Sequence, residues 1–188
     1  MDIDQMNDKL RELLTKKRYE HSLGVAEMAK KLAHCYGADS NRALVAGLLH
    51  DCAKCLTEED KTKLCNKYSL GDIYLKYGDV MHGPLGACLA RDIFEITDEQ
   101  ILNAIKYHTT GREGMNVLEK IIYLADYIEP SRNFPGVDEL RNIADQNLDG
   151  AVLKALDNTI IYVIESECLL HPLTIEARND MLISRTKG

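Results

Sequence analysis

Four histidines and two aspartates, His21, His50, Asp51, His82, His108 and Asp126, stand where a helical sequence should place apolar side chains. His21 is in line with Val25, Met28 and Leu32 at helical spacing. His108 follows Ile101, Ala104 and Ile105, and Asp126 comes four residues after Ile122 in the most hydrophobic segment of the chain. His50 and Asp51 end the run Ala46-Gly47-Leu48-Leu49, while His82 precedes a segment whose Leu85 and Leu89 lie on its own side. A lone histidine on an apolar face is ordinarily bonded to a carbonyl, and a buried aspartate ordinarily caps or pairs. Six such groups on separate inward faces need a common partner, and a cluster of divalent cations supplies one.

The donor set narrows the chemistry. Imidazole and carboxylate without thiolate suit iron, manganese or zinc better than magnesium alone. Read as helical neighbours, His50 and Asp51 project about 100° apart around the axis, so they approach a metal pair from adjacent directions. The carboxylate of Asp51 can bridge two ions where a neutral imidazole cannot. Two ions about 3.5–4 Å apart lower the pKa of a shared water and clamp the oxygens of a phosphoryl centre, which predicts phosphate-ester or phosphoanhydride hydrolysis. The other histidines act as controls. His34 shares a face with Glu27, Lys30 and Lys31 and is expected in solvent, and His171 falls in a Pro-containing turn; neither is expected to be a ligand.

The elements that must position these groups are helices, because apolar residues recur at helical rather than alternating spacing almost throughout. The expected class is all-α, with about eight or nine helices, no sheet, and one domain over residues 1–188 whose core covers roughly 18–130 with C-terminal helices packed on it. Helices are expected at about Ile3 to Thr15, Arg18 to Tyr36, across Ala43 to Asp51 with Asp39 or Ser40 as cap, and at about Glu58 to Lys67 behind Thr57. Further helices should start near Pro84, run from a Thr97 cap to His108, and cover Val117 to Ile128, Val137 to Asn147, Leu148 to Cys168 and Thr174 to Arg185.

With 23 Lys plus Arg against 30 Asp plus Glu, the net charge of −7 argues against a general nucleic-acid or membrane-surface binder. The N-terminal stretch MDIDQMNDKL lacks the basic and apolar regions of a targeting peptide, and the longest apolar run, Ala43 to Leu49, is far short of a bilayer span. A cytoplasmic protein without membrane attachment is the expectation, and the sequence leaves room for a homodimer. Six scattered cysteines are expected as reduced thiols; Cys52 and Cys55 form a C-x-x-C, but no second pair completes a zinc site.

The spacing His21, then His50-Asp51, then Asp126 resembles the H…HD…D signature of HD-domain phosphohydrolases, and His82 and His108 resemble the extra ligands of its two-metal members. RYEHSLGVAEMAKKLA (18–33), AGLLHDCAK (46–54), MHGPLGA (81–87), AIKYHTTGR (104–112) and YLADYIEPSRNFPGVDELR (123–141), in that order, are similar to the YqeK-type symmetrical bis(5'-nucleosyl)-tetraphosphatases. The resemblance implies hydrolysis of diadenosine tetraphosphate into two ADP at a centre of two divalent or mixed-valence metal ions, iron foremost, with manganese or zinc as alternatives. It implies one metal on His21, His50, Asp51 and Asp126, and a second that shares Asp51 and adds His82 and His108.

A polyphosphate needs cations around it. Lys54, four residues after His50, is expected to meet a phosphate oxygen and, with Asp51, to be catalytic. Thr109, Thr110, Gly111 and Arg112 follow His108 directly, and a turn there would present hydroxyls, N–H groups and a guanidinium to the substrate. Arg132 lies in the Pro-flanked loop past Asp126, and Glu129 either orients a ligand or caps that loop. Two alternatives share these residues: an HD phosphohydrolase acting on a dNTP, nucleoside monophosphate, cyclic dinucleotide or guanosine alarmone, and a non-catalytic nucleotide- or protein-binding module.

Overall fold

A computed structural model describes residues 1–71, 73 and 76–186 of the chain. Among them ten α-helices occur and no strand: α1 (Ile3–Leu13), α2 (Lys16–Cys35), α3 (Ser40–Leu49), α4 (Glu58–Lys67), α5 (His82–Phe94), α6 (Glu99–Tyr107), α7 (Val117–Ile128), α8 (Val137–Ala144), α9 (Leu148–Glu165) and α10 (Pro172–Thr186). The all-α class holds, and these helices fall on the ten segments assigned from the sequence, against an overall count of about eight or nine. Thr15 and Asn147 cap α2 and α9, their side chains accepting from the Arg18 and Gly150 N–H groups. Among the described residues no helix is long and apolar enough to cross a membrane.

Side-chain acceptors satisfy the orphan N–H groups at the helix starts. Asp39 caps α3 by accepting from Asn41 and Arg42, and Thr57 caps α4. The cap of α6 is Asp98 rather than Thr97, since the Asp98 carboxylate reaches the Gln100 N–H at 2.9 Å. Asn116 and Glu119 form a capping box on α7.

Helix α2 packs on α3 and α7, α6 packs on α3, α5 and α7, and α7 rests on α9, which also carries α8 and α10. Fully buried Ala29, Ala43, Ala46, Ala104 and Ala125 let these helices approach closely, while Leu48, Leu49, Leu85, Ile105, Ile121 and Ile122 fill the space between them.

Three boundaries differ from the sequence expectation in ways that matter chemically. Helix α3 stops at Leu49, so His50 is its C-cap and the chain continues through tight turns, with Cys52 N–H donating to Leu49 O and Lys54 N–H to Asp51 O. His50 and Asp51 are therefore not neighbours within a helix, and Lys54 is not one helical turn beyond His50. Helix α5 begins at His82 itself rather than near Pro84, straight after a 3-10 turn at Gly78–Val80, and α6 ends at Tyr107, which makes His108 a C-cap.

Candidate metal centre

The last carbonyls of a helix lack intrahelical partners, and three histidines use that vacancy three residues back. His50 Nδ1 donates to Gly47 O at 2.7 Å, His108 Nδ1 to Ile105 O at 2.7 Å, and His82 Nδ1 to Asp79 O at 3.0 Å. A ring that donates from Nδ1 keeps its Nε2 lone pair free. His21 sits inside α2, where the carbonyls are already taken. Its Nδ1 instead meets Glu129 Oε1 at 3.0 Å, and Glu129 is itself gripped by the Ser131 N–H and hydroxyl. Gly24 makes this possible: a Cβ at that position would lie 2.7 Å from Glu129 Oε2.

All four Nε2 atoms thus face one buried volume. His21 Nε2 is 2.9 Å from Asp126 Oδ1, and His50 Nε2 is 3.8 Å from the same oxygen. Asp51 turns Oδ2 toward His50 Nε2 at 3.7 Å and Oδ1 toward His82 Nε2 at 3.2 Å and His108 Nε2 at 3.7 Å. In two sets, His21–His50–Asp126 and His50–Asp51–His108, one donor atom from each residue lies within 4.8 Å of the others. His82 joins the second through a 3.1 Å approach of its Nε2 to His108 Nε2.

This arrangement fits divalent cations. The Nε2 of His50 is buried and makes no hydrogen bond, and the His82 and His108 Nε2 atoms confront each other. His21, lowered by burial but raised more by Asp126 and Glu129 on its two nitrogens, ends above its usual range, so its Nε2 faces Asp126 with a proton or another cation between them. Burial pushes His50 below its usual range and His82 down to about 4, so both rings are neutral acceptors. Burial alone would raise the carboxyls of Asp51 and Asp126. The surrounding rings, His50, His108 and His82 at the first and His21 and His50 at the second, bring both well below the carboxylate range when a positive charge lies between ring and carboxylate, which a proton or a metal ion supplies. Acceptors facing acceptors, all nitrogen or oxygen, are what a transition-metal ion neutralises.

Three cations border the cluster. Arg132 Nη2 lies 2.6 Å from Asp126 Oδ1 and its Nε donates to Asp126 O, while Lys54 Nζ lies 3.2 and 3.3 Å from the two His82 nitrogens. The third, Arg18, is absent from the sequence-derived candidates. Its Nη1 is 3.2 Å from Asp51 Oδ2, and its place three residues before His21 on α2 was the available signal. Arg18, Lys17, His21, Arg132 and Asn133 line a cavity of about 530 Å³ beside the cluster.

The turn after His108 is held by contacts within the protein. Thr110 is buried with its hydroxyl donating to Gly111 O, and Gly111 takes a left-handed φ of +63° where a Cβ would lie 2.9 Å from Ala177 Cβ. Arg112 forms a two-pronged pair with buried Glu119, both contacts at 2.9 Å. Thr110, Gly111 and Arg112 thereby shape the corner between α6 and α7, where the guanidinium engages the Glu119 carboxylate. Thr109 keeps a buried hydroxyl without a hydrogen bond. His34 is exposed, and His171 is buried outside both donor sets, its Nδ1 accepting from the Leu173 N–H. The C-x-x-C pair separates: Cys55 is exposed, whereas the Cys52 thiol donates to Gly86 O and burial pushes it up to about 12.

If Glu129 orients His21, Glu129→Ala should weaken metal binding by about 10–100-fold. Gly24→Ala should act in the same direction by pushing the carboxylate away. Chelator competition measures both, and wild-type affinity in Glu129→Ala would remove the orienting role.

The HD domain family model matches residues 18–131. The symmetrical bis(5'-nucleosyl)-tetraphosphatase of Halalkalibacterium halodurans is 44% identical over 92% of this chain and 92% of its own length. The Bacillus subtilis protein of the same name is 39% identical over 90% and 92%. A crystal structure from Clostridium acetobutylicum, named as a predicted HD superfamily hydrolase involved in NAD metabolism, superposes with a TM-score of 0.94 at 49% identity over 98% of both chains.

Proposed function

The chain belongs to the HD domain family, and from that premise we propose that it hydrolyses diadenosine tetraphosphate symmetrically, giving two ADP. The observation that carries the reading is the convergence of four Nε2 lone pairs and two ionised carboxylates beside a cavity with a cationic wall. The relatives named as symmetrical tetraphosphatases supply the substrate class.

In this proposal His21, His50, Asp51 and Asp126 hold one divalent cation, and Asp51, His82 and His108 hold the other. Iron is the proposed metal, with manganese or zinc as substitutes. Such a pair supplies Lewis acidity and an activated water at the phosphoryl centre. The protein's own contribution is orientation and charge. The Nδ1 bonds to Gly47, Asp79, Ile105 and Glu129 fix every ring before substrate arrives. Arg18 and Arg132 flank the two carboxylates and present cationic faces to the phosphate chain, while Lys54 stands beside His82 to stabilise the charge that grows on the departing ADP. A nucleotide substrate is in keeping with work in the cytoplasm.

Cleavage position tests the reading. In water labelled with heavy oxygen, the first products should be two ADP, one of which carries a single label. ATP plus AMP as initial products would reject symmetrical cleavage, and full activity after exhaustive chelation would reject the metal. Elemental analysis of anaerobically purified protein should find iron; zinc or manganese at full occupancy with full activity would replace it.

A further inference from the structure

The end of α7 and the loop behind it place Tyr127 and Phe134 next to Asp126, and α9 brings Thr159 and Tyr162 to meet them. With Arg132 these side chains enclose a second cavity, of about 520 Å³. It shares Arg132 and Phe134 with the cationic cavity, so the two lie on either side of that pair. Their chemistry differs. Tyr127 and Phe134 meet edge to face with centroids 5.2 Å apart, and Tyr162 is 68% exposed although it is a large ring. The inner face of α9 is made by Val152, Ala155 and Leu156, all fully buried, so Tyr162 is not needed by the core.

The walls are also held firmly. Arg141 on α8 donates to the carbonyls of Ile128, Glu129 and Arg132, which fastens the start of the loop that carries Phe134. The Tyr123 hydroxyl pairs with Thr159 Oγ1 at 3.2 Å from within the core. Aromatic side chains around a space of this size, on a loop fastened at its start and beside an exposed Tyr162, suit a planar heteroaromatic ring, which gains by stacking on such faces. Arg132 is the one cation among its lining residues, and Asp126 opposes a bare phosphate there.

A dinucleoside polyphosphate carries a purine at each end of a charged linker. With one purine in the aromatic cavity, the linker crosses Arg132 and passes Asp126 toward Arg18 and Lys17. We propose that the cavity among Tyr127, Phe134 and Tyr162 is a nucleobase pocket that holds one purine of the substrate; this rests on the dinucleotide reading above.

The test measures binding of a methylene-bridged, non-hydrolysable analogue of diadenosine tetraphosphate and of inorganic tetraphosphate, which has no base. Tyr162→Ala should weaken the analogue about tenfold, and Tyr162→Phe should bind it as the wild type does. Inorganic tetraphosphate should not distinguish the three proteins. An unchanged affinity of Tyr162→Ala for the analogue overturns the pocket, and so does an equal loss for the base-free tetraphosphate. A loss that accompanies a change of oligomeric state in size-exclusion chromatography assigns Tyr162 to a subunit contact and overturns it as well. If the wild type instead binds and cleaves a different nucleotide, the substrate reading fails, and the same variants assayed on that nucleotide decide the pocket.

Discussion

Asp51→Asn should lower kcat/KM by roughly a thousandfold or more while leaving a folded helical protein. The substitution keeps the shape of the side chain and removes its charge. Asp51 is the group whose two oxygens face different neighbours, Oδ2 toward His50 and Arg18 and Oδ1 toward His82 and His108. Without the carboxylate, the imidazoles on both sides lose the anion that makes them a joint metal site. A readout independent of turnover is thermal stability. Wild-type protein should gain about 2.7 kcal/mol when metal is supplied at 100 times its Kd, and the variant should gain much less. Near-normal turnover with full metal content would dismiss Asp51 as the shared ligand. His34→Ala is the control, since that ring is exposed and stands outside both donor sets.

The inward-facing groups were legible because helical periodicity is a statement about faces, and His21, His108 and Asp126 fall on faces otherwise made of Val25, Ile105 and Ile122. Periodicity says less about where a helix ends. His50 and His108 had looked like helix residues and are caps, and it is their position as caps that frees the Gly47 and Ile105 carbonyls to fix the rings. Glu129 had two readings, ligand orientation or loop cap, and the structure joins them: the carboxylate holds His21 and the Ser131 turn together. Arg18 carried only its helical spacing to His21 as a signal, and its pairing with Asp51, 33 residues further on, comes from the packing against α2. The aromatic cavity was illegible for the same reason, since Phe134 and Tyr162 are brought together only by the packing of α9 on α7.

Arg112 and Arg132 were equal candidates in the sequence, and the structure gives them opposite expected phenotypes. Arg132 is half-exposed, reaches Asp126 at 2.6 Å and borders both cavities. Its replacement by Ala should lower kcat/KM by about 10- to 100-fold, the loss expected for one charge-assisted contact to a phosphate, with little change in stability. Arg112 instead makes its two-pronged pair with Glu119, whose side chain is 1% exposed and also belongs to the capping box of α7. Arg112→Ala leaves that carboxylate buried with fewer partners and should cost about 1–3 kcal/mol of stability, read from denaturant unfolding. The folded fraction should keep its kinetics within a few fold. Asn116 still donates its backbone N–H to Glu119, which is why the expected outcome is weakening of the corner and not collapse. The opposite pattern, a stable Arg112→Ala with poor kinetics beside an unaffected Arg132→Ala, would mean that the phosphate chain runs along the α6–α7 corner and not across the Asp126 side of the cluster.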